Sequence, residues 1–422
     1  MTAINPQTGL VSFKGWAKGV NNRASDFDIP EGSLRDALNV DILTSGNVRR
    51  RKGIAQAIAS TGAHSVYSDG PRMVWFTADS LYYCRADLVP HLLNVDRRYA
   101  KPISCVELNG EIFFSNEDIN GKVTAGNIWS PWGITPPASP PTCAGNGTTR
   151  TYQITCTFVT ATGEESGAPG GVVVLCDDPP RIILTNIPQS IDARVVATRI
   201  YATNINSEVF GHAVDVPTGT TAYAISGYFA HGARLKTQFN SNPPPGQLLE
   251  EHYGTIYIAA GNVMWHTDPL RPNIFDNAAS FFLFNDRITM MKSVGKQGIR
   301  EHEGMFISAD AIRFMPFIGT PRVESWPKYP YKAIEGTGIR LPNNEAVMFF
   351  TDRGYVRGMP GGQIENTTEA QIAVEKYARG AMGYHATNGH QAIVTVLQNS
   401  LVASYTSPDV AAEQAAYAAD NV

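Results

Sequence analysis

The chain has 422 residues, 43% of them hydrophobic and only 17% charged, with a formal net charge of −4. That length and apolar content exclude a disordered chain and leave room for two or three cored domains, while the weak negative charge argues against affinity built on neutralising many phosphates. Five cysteines, odd in number and without a Cys-x-x-Cys pair, exclude the common zinc and redox spacings and predict reduced, mostly buried thiols.

The opening Met1–Gly9 has no charged start followed by an apolar stretch, so no secretory signal is expected. No apolar run approaches the roughly 18 residues of a membrane span. Residues 1–57 form an arm that carries the most specific linear segment of the chain. Its marked positions are Asn21, Asn22, Arg23, Asp26, Pro30, Gly32, Leu34, Arg35, Ala37, Asn39, Val40 and Asp41, then Gly46, Arg50, Arg51 and Gly53. Thr44-Ser45-Gly46 predicts a three-residue hairpin loop with Gly46 left-handed, which pairs Ile42 with Val48 and Asp41 with Arg49. Arg49-Arg50-Arg51-Lys52 then reads as an exposed charged strand, partly neutralised by Asp36 and Asp41. A DNA-binding patch is the sharper alternative.

In residues 58–135 one local phrase occurs twice, in Met73–Cys84 and Glu111–Ser130: an apolar run, a tight polar turn and a second run. It returns in residues 246–406, as Thr255–Thr267, Gly304–Met315, Ala346–Gly358 and Ala392–Tyr405. The turns recur every roughly 40 to 50 residues, the period of a β-propeller blade, apart from one interval of roughly 140. That interval is bounded by Thr135–Pro141 and Asn242–Gly246, which are proline-rich like semi-rigid linkers. Removing the roughly 100 residues between them restores the period. The strand around Val48–Ile58 is available to complete the last blade and close the ring.

The stretch between the linkers, 142–242, changes character. Thr151–Val159 alternates Tyr152, Ile154, Cys156 and Phe158 on one face, and further short strands follow as far as Ile225. These predict a small β-sandwich similar to a fibronectin type III module, carried on hinges and serving contact or spacing. Ser407-Pro408-Asp409 ahead of the alanine-rich Val410–Ala419 carries a helix-start signal, so 407–422 is expected as a short helix or tail. The fold class read from the sequence is therefore all-β: an about six-bladed β-propeller with an inserted fibronectin-III-like β-sandwich and a short C-terminal helix.

No catalytic set gathers along the chain. The histidines are dispersed, Gly336-Thr337-Gly338 lacks the third glycine of a dinucleotide loop, and neither a Gly-x-Ser-x-Gly elbow nor a Walker sequence is present. No catalytic residue, metal or cofactor is expected. Asp69, Asp79, Glu117, Asp118, Asp310 and Asp352 lie in or near the hairpin turns, as carboxylates at the mouth of a propeller glycosidase would. Hairpin turns also favour Asp for backbone reasons alone.

The segment from Asn21 to Gly53 resembles the N-terminal part of tail nozzle or tail-hub proteins of short-tailed bacteriophages. The resemblance covers about the first 55 residues, and beyond them it is one of architecture. It implies a non-enzymatic virion protein of the phage tail, assembled in the host cytoplasm as a homohexameric ring below the portal and adaptor. Tail fibres or spikes would attach to it. Double-stranded DNA would pass through the lumen without tight binding, the packaged genome being retained until ejection. The marked positions are then structural. Asn285-Asp286-Arg287 and Gly319-Thr320-Pro321-Arg322 are candidate channel constrictions. The alternatives are a receptor- or glycan-binding tail module acting through the insert, and a propeller glycosidase.

Overall fold

The computed structural model describes residues 3–4, 11–12, 15–37, 40–43, 45–50, 56–227, 232–296, 299–317, 322–324, 326–342, 345–369, 371–372, 379–387 and 390–398. Asn39, Arg51, Gly53, Gly319 to Pro321 and the expected helix at 407–422 lie outside them. The chain divides into two compact units, Met1–Ala59 with Phe284–Val422, and Ser60–Leu283.

In the first unit, β1 (Ala3–Ile4) pairs with β2 (Val11–Ser12), and β3 (Gly19–Val20) runs parallel to β4 (Ser33–Leu34). β5 (Val40–Ile42) and β6 (Val48–Arg50) make a hairpin with Ile42 opposite Val48 and Asp41 opposite Arg49, the register expected from the turn. Gly46 has φ +85°, the left-handed conformation that a side chain resists. Among the described residues β6 pairs with β5 alone, not with a later sheet.

The second unit opens with β7 (His64–Ser68), β8 (Met73–Phe76), β9 (Ser80–Cys84) and β10 (His91–Val95), an antiparallel meander in chain order. A 3-10 turn at Arg97–Ala100 leads into a second meander, β11 (Ser104–Leu108), β12 (Glu111–Ser115), β13 (Asn120–Val123) and β14 (Trp129–Ser130). Asn109 and Gly110, with φ of +55° and +76°, join β11 to β12, as a two-residue hairpin requires.

Strand alternation decides how these sheets stack. Ile112 and Phe114 of β12 pack with Val74, Phe76, Leu81 and Tyr99. Phe113, on the opposite face, packs with Trp132, Leu249, Ile256 and Ile258. β12 is thus buried on both sides, each such side chain contributing about 1.5–3 kcal/mol. Gly121 lies opposite Phe114 in register, and a Cβ there would sit 2.5 Å from the ring, so the glycine makes room for the aromatic.

The insert follows as β15 (Thr142–Gly145), β16 (Arg150–Thr160), β17 (Val172–Cys176), β18 (Arg181–Thr185), β19 (Val195–Thr203), β20 (Phe210–Pro217) and β21 (Tyr223–Ser226). A three-stranded sheet, β15-β18-β21, faces a four-stranded sheet, β17-β16-β19-β20. The layer between them holds Tyr152, Ile154 and Cys156 of β16, Ile182 and Leu184 of β18 and Ile200 of β19. This is a β-sandwich. β22 (Asn240–Ser241) leads out of it, and β23 (Leu248–His252), β24 (Thr255–Ala260) and β25 (Val263–His266) start a third four-stranded sheet. β26 (Phe275–Asp276) pairs with β22, and β27 (Phe281–Leu283) completes that third sheet beside β25.

The first unit resumes with β28 (Met290–Lys296), β29 (Ile299–Ser308) and β30 (Ile312–Pro316), then the meander β31 (Ile339–Arg340), β32 (Val347–Thr351), β33 (Gly354–Met359) and β34 (Gln363–Asn366). Met290, Phe306 and Phe314 of the former pack on Val347, Phe349 and Val356 of the latter. β35 (Arg379–Thr387) and β36 (His390–Gln398) form a last hairpin. The run from Ala392 pairs with the preceding strand Arg379–Thr387, a partner the sequence reading does not include, and the turn expected near 398 with the strand after it lies outside the described residues. Five of the six expected hairpins occur as read, and the chain is nearly all β, in many small antiparallel sheets.

Candidate functional site

The marked N-terminal residues build one braced loop. The Asn21 N–H donates to Leu34 O at 2.7 Å, closing a neck where β3 and β4 lie side by side. Asn21 is buried, and its Oδ1 accepts from the N–H groups of Arg23 and Ala24 at 3.2 and 3.1 Å, which turns the chain outward. Within the loop Ser25 Oγ donates to Asp28 Oδ2 at 2.5 Å and Ser33 N–H to Pro30 O at 3.0 Å. The Arg35 guanidinium donates to Ala24 O and faces Asp26 at 3.5 Å.

Two glycines tie the neck to its surroundings. Gly32, at φ +83°, presents its carbonyl to Lys18 N–H at 3.0 Å. Gly46 O accepts from Trp16 N–H at 2.7 Å, and a Cβ on Gly46 would fall 2.9 Å from that nitrogen. Asn22 N–H and the Arg23 guanidinium reach Gln371 O and Glu369 O beyond β34. Gly32, Leu34 and Gly46 therefore act through the backbone, Asn21 through both backbone and side chain and Arg35 through its guanidinium, and Arg50 is exposed on β6. What the sequence reading missed is Phe27, fully exposed at the tip between Asp26 and Asp28. Its signal is an aromatic side chain between two aspartates.

The first candidate constriction is pinned. Asp286 pairs with Lys332, whose ammonium, helped by the Arg287 N–H, holds the Asp286 carboxyl below its usual range. Arg287 Nε faces Glu335 at 3.5 Å, a carboxylate shared with Arg379. Asn285 and Arg322 are exposed.

The insert is not hinged. Lys122 of β13, only 5% exposed, places its ammonium 3.1 Å from Glu111 and 3.7 Å from Glu164 of the insert. Arg194, ahead of β19, reaches Glu164 at 3.4 Å, Ser130 Oγ at 2.9 Å and Gly133 O at 2.8 Å. Ile134, Phe158 and Val195 pack beside them. On the return side, Gly232–Phe239 lies along the sandwich as a strap: Leu235 N–H donates to Phe210 O and His212 N–H to Ala233 O, both at 3.0 Å. The proline-rich ends are fixed because the segments next to them are hydrogen-bonded and ion-paired, which composition alone does not disclose.

Four of the turn carboxylates are engaged by a basic side chain close by. Asp69 is held by Arg72 at 2.5 Å, Glu117 and Asp118 share Lys101 at 3.2 and 2.9 Å, and Asp310 pairs with Arg313 at 2.9 Å. Asp69 and Asp79 lie beyond opposite ends of β8. Asp352 occupies the turn from β32 to β33. The five cysteines are free thiols, and burial pushes Cys143 and Cys156 up to about 12. Among the described residues no group of three His, Cys, Asp or Glu is placed to hold a metal ion, and no helix is long and apolar enough to cross a membrane.

No family model matches the chain, and no curated protein matches it in sequence. Among solved structures it is similar to BBS1N, crystallised in complex with ARL6DN, at 13% identity and a TM-score of 0.28, over 74% of this chain and 82% of that one. It is similar to an inactive virginiamycin B lyase from Staphylococcus aureus, bound to quinupristin, at 11% identity and a TM-score of 0.30, over 80% and 92% of the two chains. AztD from Citrobacter koseri gives 7% identity and a TM-score of 0.31, over 81% and 76%. Likenesses of this size carry no argument about activity.

Proposed function

We propose that the chain is a non-enzymatic structural subunit of a bacteriophage tail, a nozzle or hub. The observation that carries this reading is the N-terminal segment: the described positions among those that resemble the nozzle family fall in or beside the braced loop and its hairpin. In this reading the repeated meanders are blades of an about six-bladed propeller, and the sandwich is a fibronectin-III-like insertion. Six copies form a ring below the portal or adaptor, fibres or spikes attach to it, and its wall encloses the DNA channel. A weakly acidic chain suits DNA in transit, since each phosphate neutralised would add to retention. Asp69, Glu117, Asp118 and Asp310, each engaged by a basic side chain, favour structure over glycan hydrolysis.

Native mass spectrometry of the full chain tests this: a closed oligomer of one stoichiometry is expected, and a monomer at high concentration overturns it. Electron microscopy of virions lacking the chain is expected to show heads that leak DNA, whereas filled, stable heads overturn the nozzle role. A second reading, receptor or glycan binding by the insert, is favoured by Val173, Leu175 and Ile183, apolar side chains exposed on the sandwich. Virions carrying Val173→Ser and Leu175→Ser lose adsorption in that reading and keep it in the first.

A further inference from the structure

We propose that one end of the second unit's stacked sheets, those that begin with β7, β11 and β23, dips apolar loop tips into the surface of a phospholipid bilayer. The inference stands apart from the ring reading. Topology, exposure and backbone conformation carry it.

In an antiparallel meander the first and third connections lie at one end and the second at the other. In these sheets the first and third are 69–72 and 85–90, 109–110 and 124–128, and 253–254 and 267–280. Arg72 ties the ends of the first two sheets together, donating to Gly110 O at 2.9 Å and to Thr124 O at 3.0 Å. The third sheet is aligned with the second: Leu249 N–H donates to Ser104 Oγ at 2.9 Å where β23 and β11 start, and Leu108 and Ile256, next to the turns, share one apolar cluster.

At this shared end Leu88, Val89, Ile128, Tyr253 and Leu270 are between 46% and 72% exposed. The second connections, 77–79, 116–119 and 260–262, carry Asp79, Glu117 and Asp118 and show no large exposed apolar side chain. Apolar exposure segregated to one end is not the scatter of an ordinary surface. Leu88, Tyr253 and Leu270 moreover have φ of +57°, +48° and +58°, the left-handed conformation that bulky side chains resist. Leu270 is fixed there: its N–H donates to Gly254 O at 2.8 Å, and a Cβ on Gly254 would fall 2.5 Å from Leu270 Cδ2. Strain that leaves a leucine in water gains the fold no packing, and strain of this kind clusters where a surface is used.

The carboxylates of these loops are spent locally. Asp69 pairs with Arg72, and Asp87, Glu107 and Glu251 accept from the N–H groups of Val89, Gly110 and Gly254 at 3.1, 2.6 and 3.0 Å. What the end presents outward is apolar and divided among separate loops, whereas a folded partner fits a contiguous apolar centre. A fluid bilayer takes up separate tips, with leucine, isoleucine and valine below the head groups and tyrosine level with them.

Flotation of the full chain with vesicles of phosphatidylethanolamine and phosphatidylglycerol tests this, beside a Leu88→Gly, Leu270→Gly double variant. Glycine suits the positive φ at both positions, so the variant keeps the fold. Wild type is expected to float with the vesicles in high salt as in low, because no charge pairing carries the binding, and the double variant to bind about tenfold or more weakly. Ile128→Ser, on a different loop, is expected to weaken binding as well. Wild type that does not float, binding lost in high salt, or equal binding by wild type and both variants overturns the proposal. Self-association that depends on these leucines, with the vesicles left unbound, also overturns it and makes the end a protein contact.

Discussion

The insert and the N-terminal loop are both appendages to stacked sheets, and they are fixed in opposite ways. The insert is held by its side chains: Lys122, Glu164 and Arg194 meet in a largely buried cluster, with Ile134, Phe158 and Val195 beside them. The loop is closed at its neck mainly by its backbone, through Asn21, Gly32, Leu34 and Gly46, and braced within by the Asn21, Ser25 and Arg35 side chains, while Phe27 at its tip is left in water. A region whose side chains are consumed in holding it has a set orientation and few groups left to offer at that joint. A region held by its backbone keeps its side chains for another molecule. Buried ion pairs of the first kind contribute little net stability against an apolar substitute, yet removing one member leaves an uncompensated charge.

The largest expected effect follows from that asymmetry. Lys122→Ala leaves Glu111 and Glu164 facing each other without the ammonium between them, and a loss of about 3–5 kcal/mol is expected in denaturant unfolding. Lys122→Met, which fills the same space, combined with Glu164→Gln, is expected to recover much of it. If Lys122→Ala unfolds like wild type, the clamp is not what fixes the insert. Next is Gly46→Ala, which imposes a Cβ at φ +85° and 2.9 Å from Trp16 N. The expected cost is about 1–3 kcal/mol, felt locally. Hydrogen exchange checks it: amides of residues 15–50 lose protection while those of Ser60–Leu283 keep it.

How much of this was legible in the sequence depended on how far apart the interacting residues lie. The hairpin register of Asp41 with Arg49 was readable because a glycine turn fixes the pairing within ten residues. The meanders were readable because apolar alternation and Asp, Asn or Gly turns repeat locally, as in Val347–Met359. The clamp was not, since Lys122, Glu164 and Arg194 are separated along the chain and each, taken alone, is an ordinary surface residue. The proline-rich stretches suggested linkers, and the strap at Gly232–Phe239 has no periodicity to announce that it bonds to β20. The strand Arg379–Thr387 is not legible because its two glycines interrupt the apolar alternation, and it shows as a strand only through its pairing with His390–Gln398. Phe27 was in plain view. Sequence gives its identity, but exposure is a property of the loop.

Acid sharpens the comparison further. Arg199 donates to both Asp215 oxygens at 2.8 and 2.9 Å and so holds that carboxyl below its ordinary value, with burial opposing and His212 assisting. A depressed carboxyl contributes stability that is complete above its unfolded value, about 4, and is lost as pH falls through the lower folded value. Protection of β19 and β20 in hydrogen exchange is therefore expected to hold from neutral pH to about 4 and to fall below it. Asp215→Asn is expected to flatten that profile, and an unchanged profile in the variant would assign the acid sensitivity elsewhere.

The smallest effect on stability is expected at the tip of the N-terminal loop. Phe27→Ser touches no packed neighbour, so thermal unfolding of the isolated chain is expected to move by no more than about 0.5 kcal/mol. A larger loss would mean that the Phe27 ring packs on its own chain and that the tip, like the insert, has its side chains consumed in holding it. Equal stability would separate the two regions cleanly, because Lys122→Ala at the insert's joint is expected to loosen the fold.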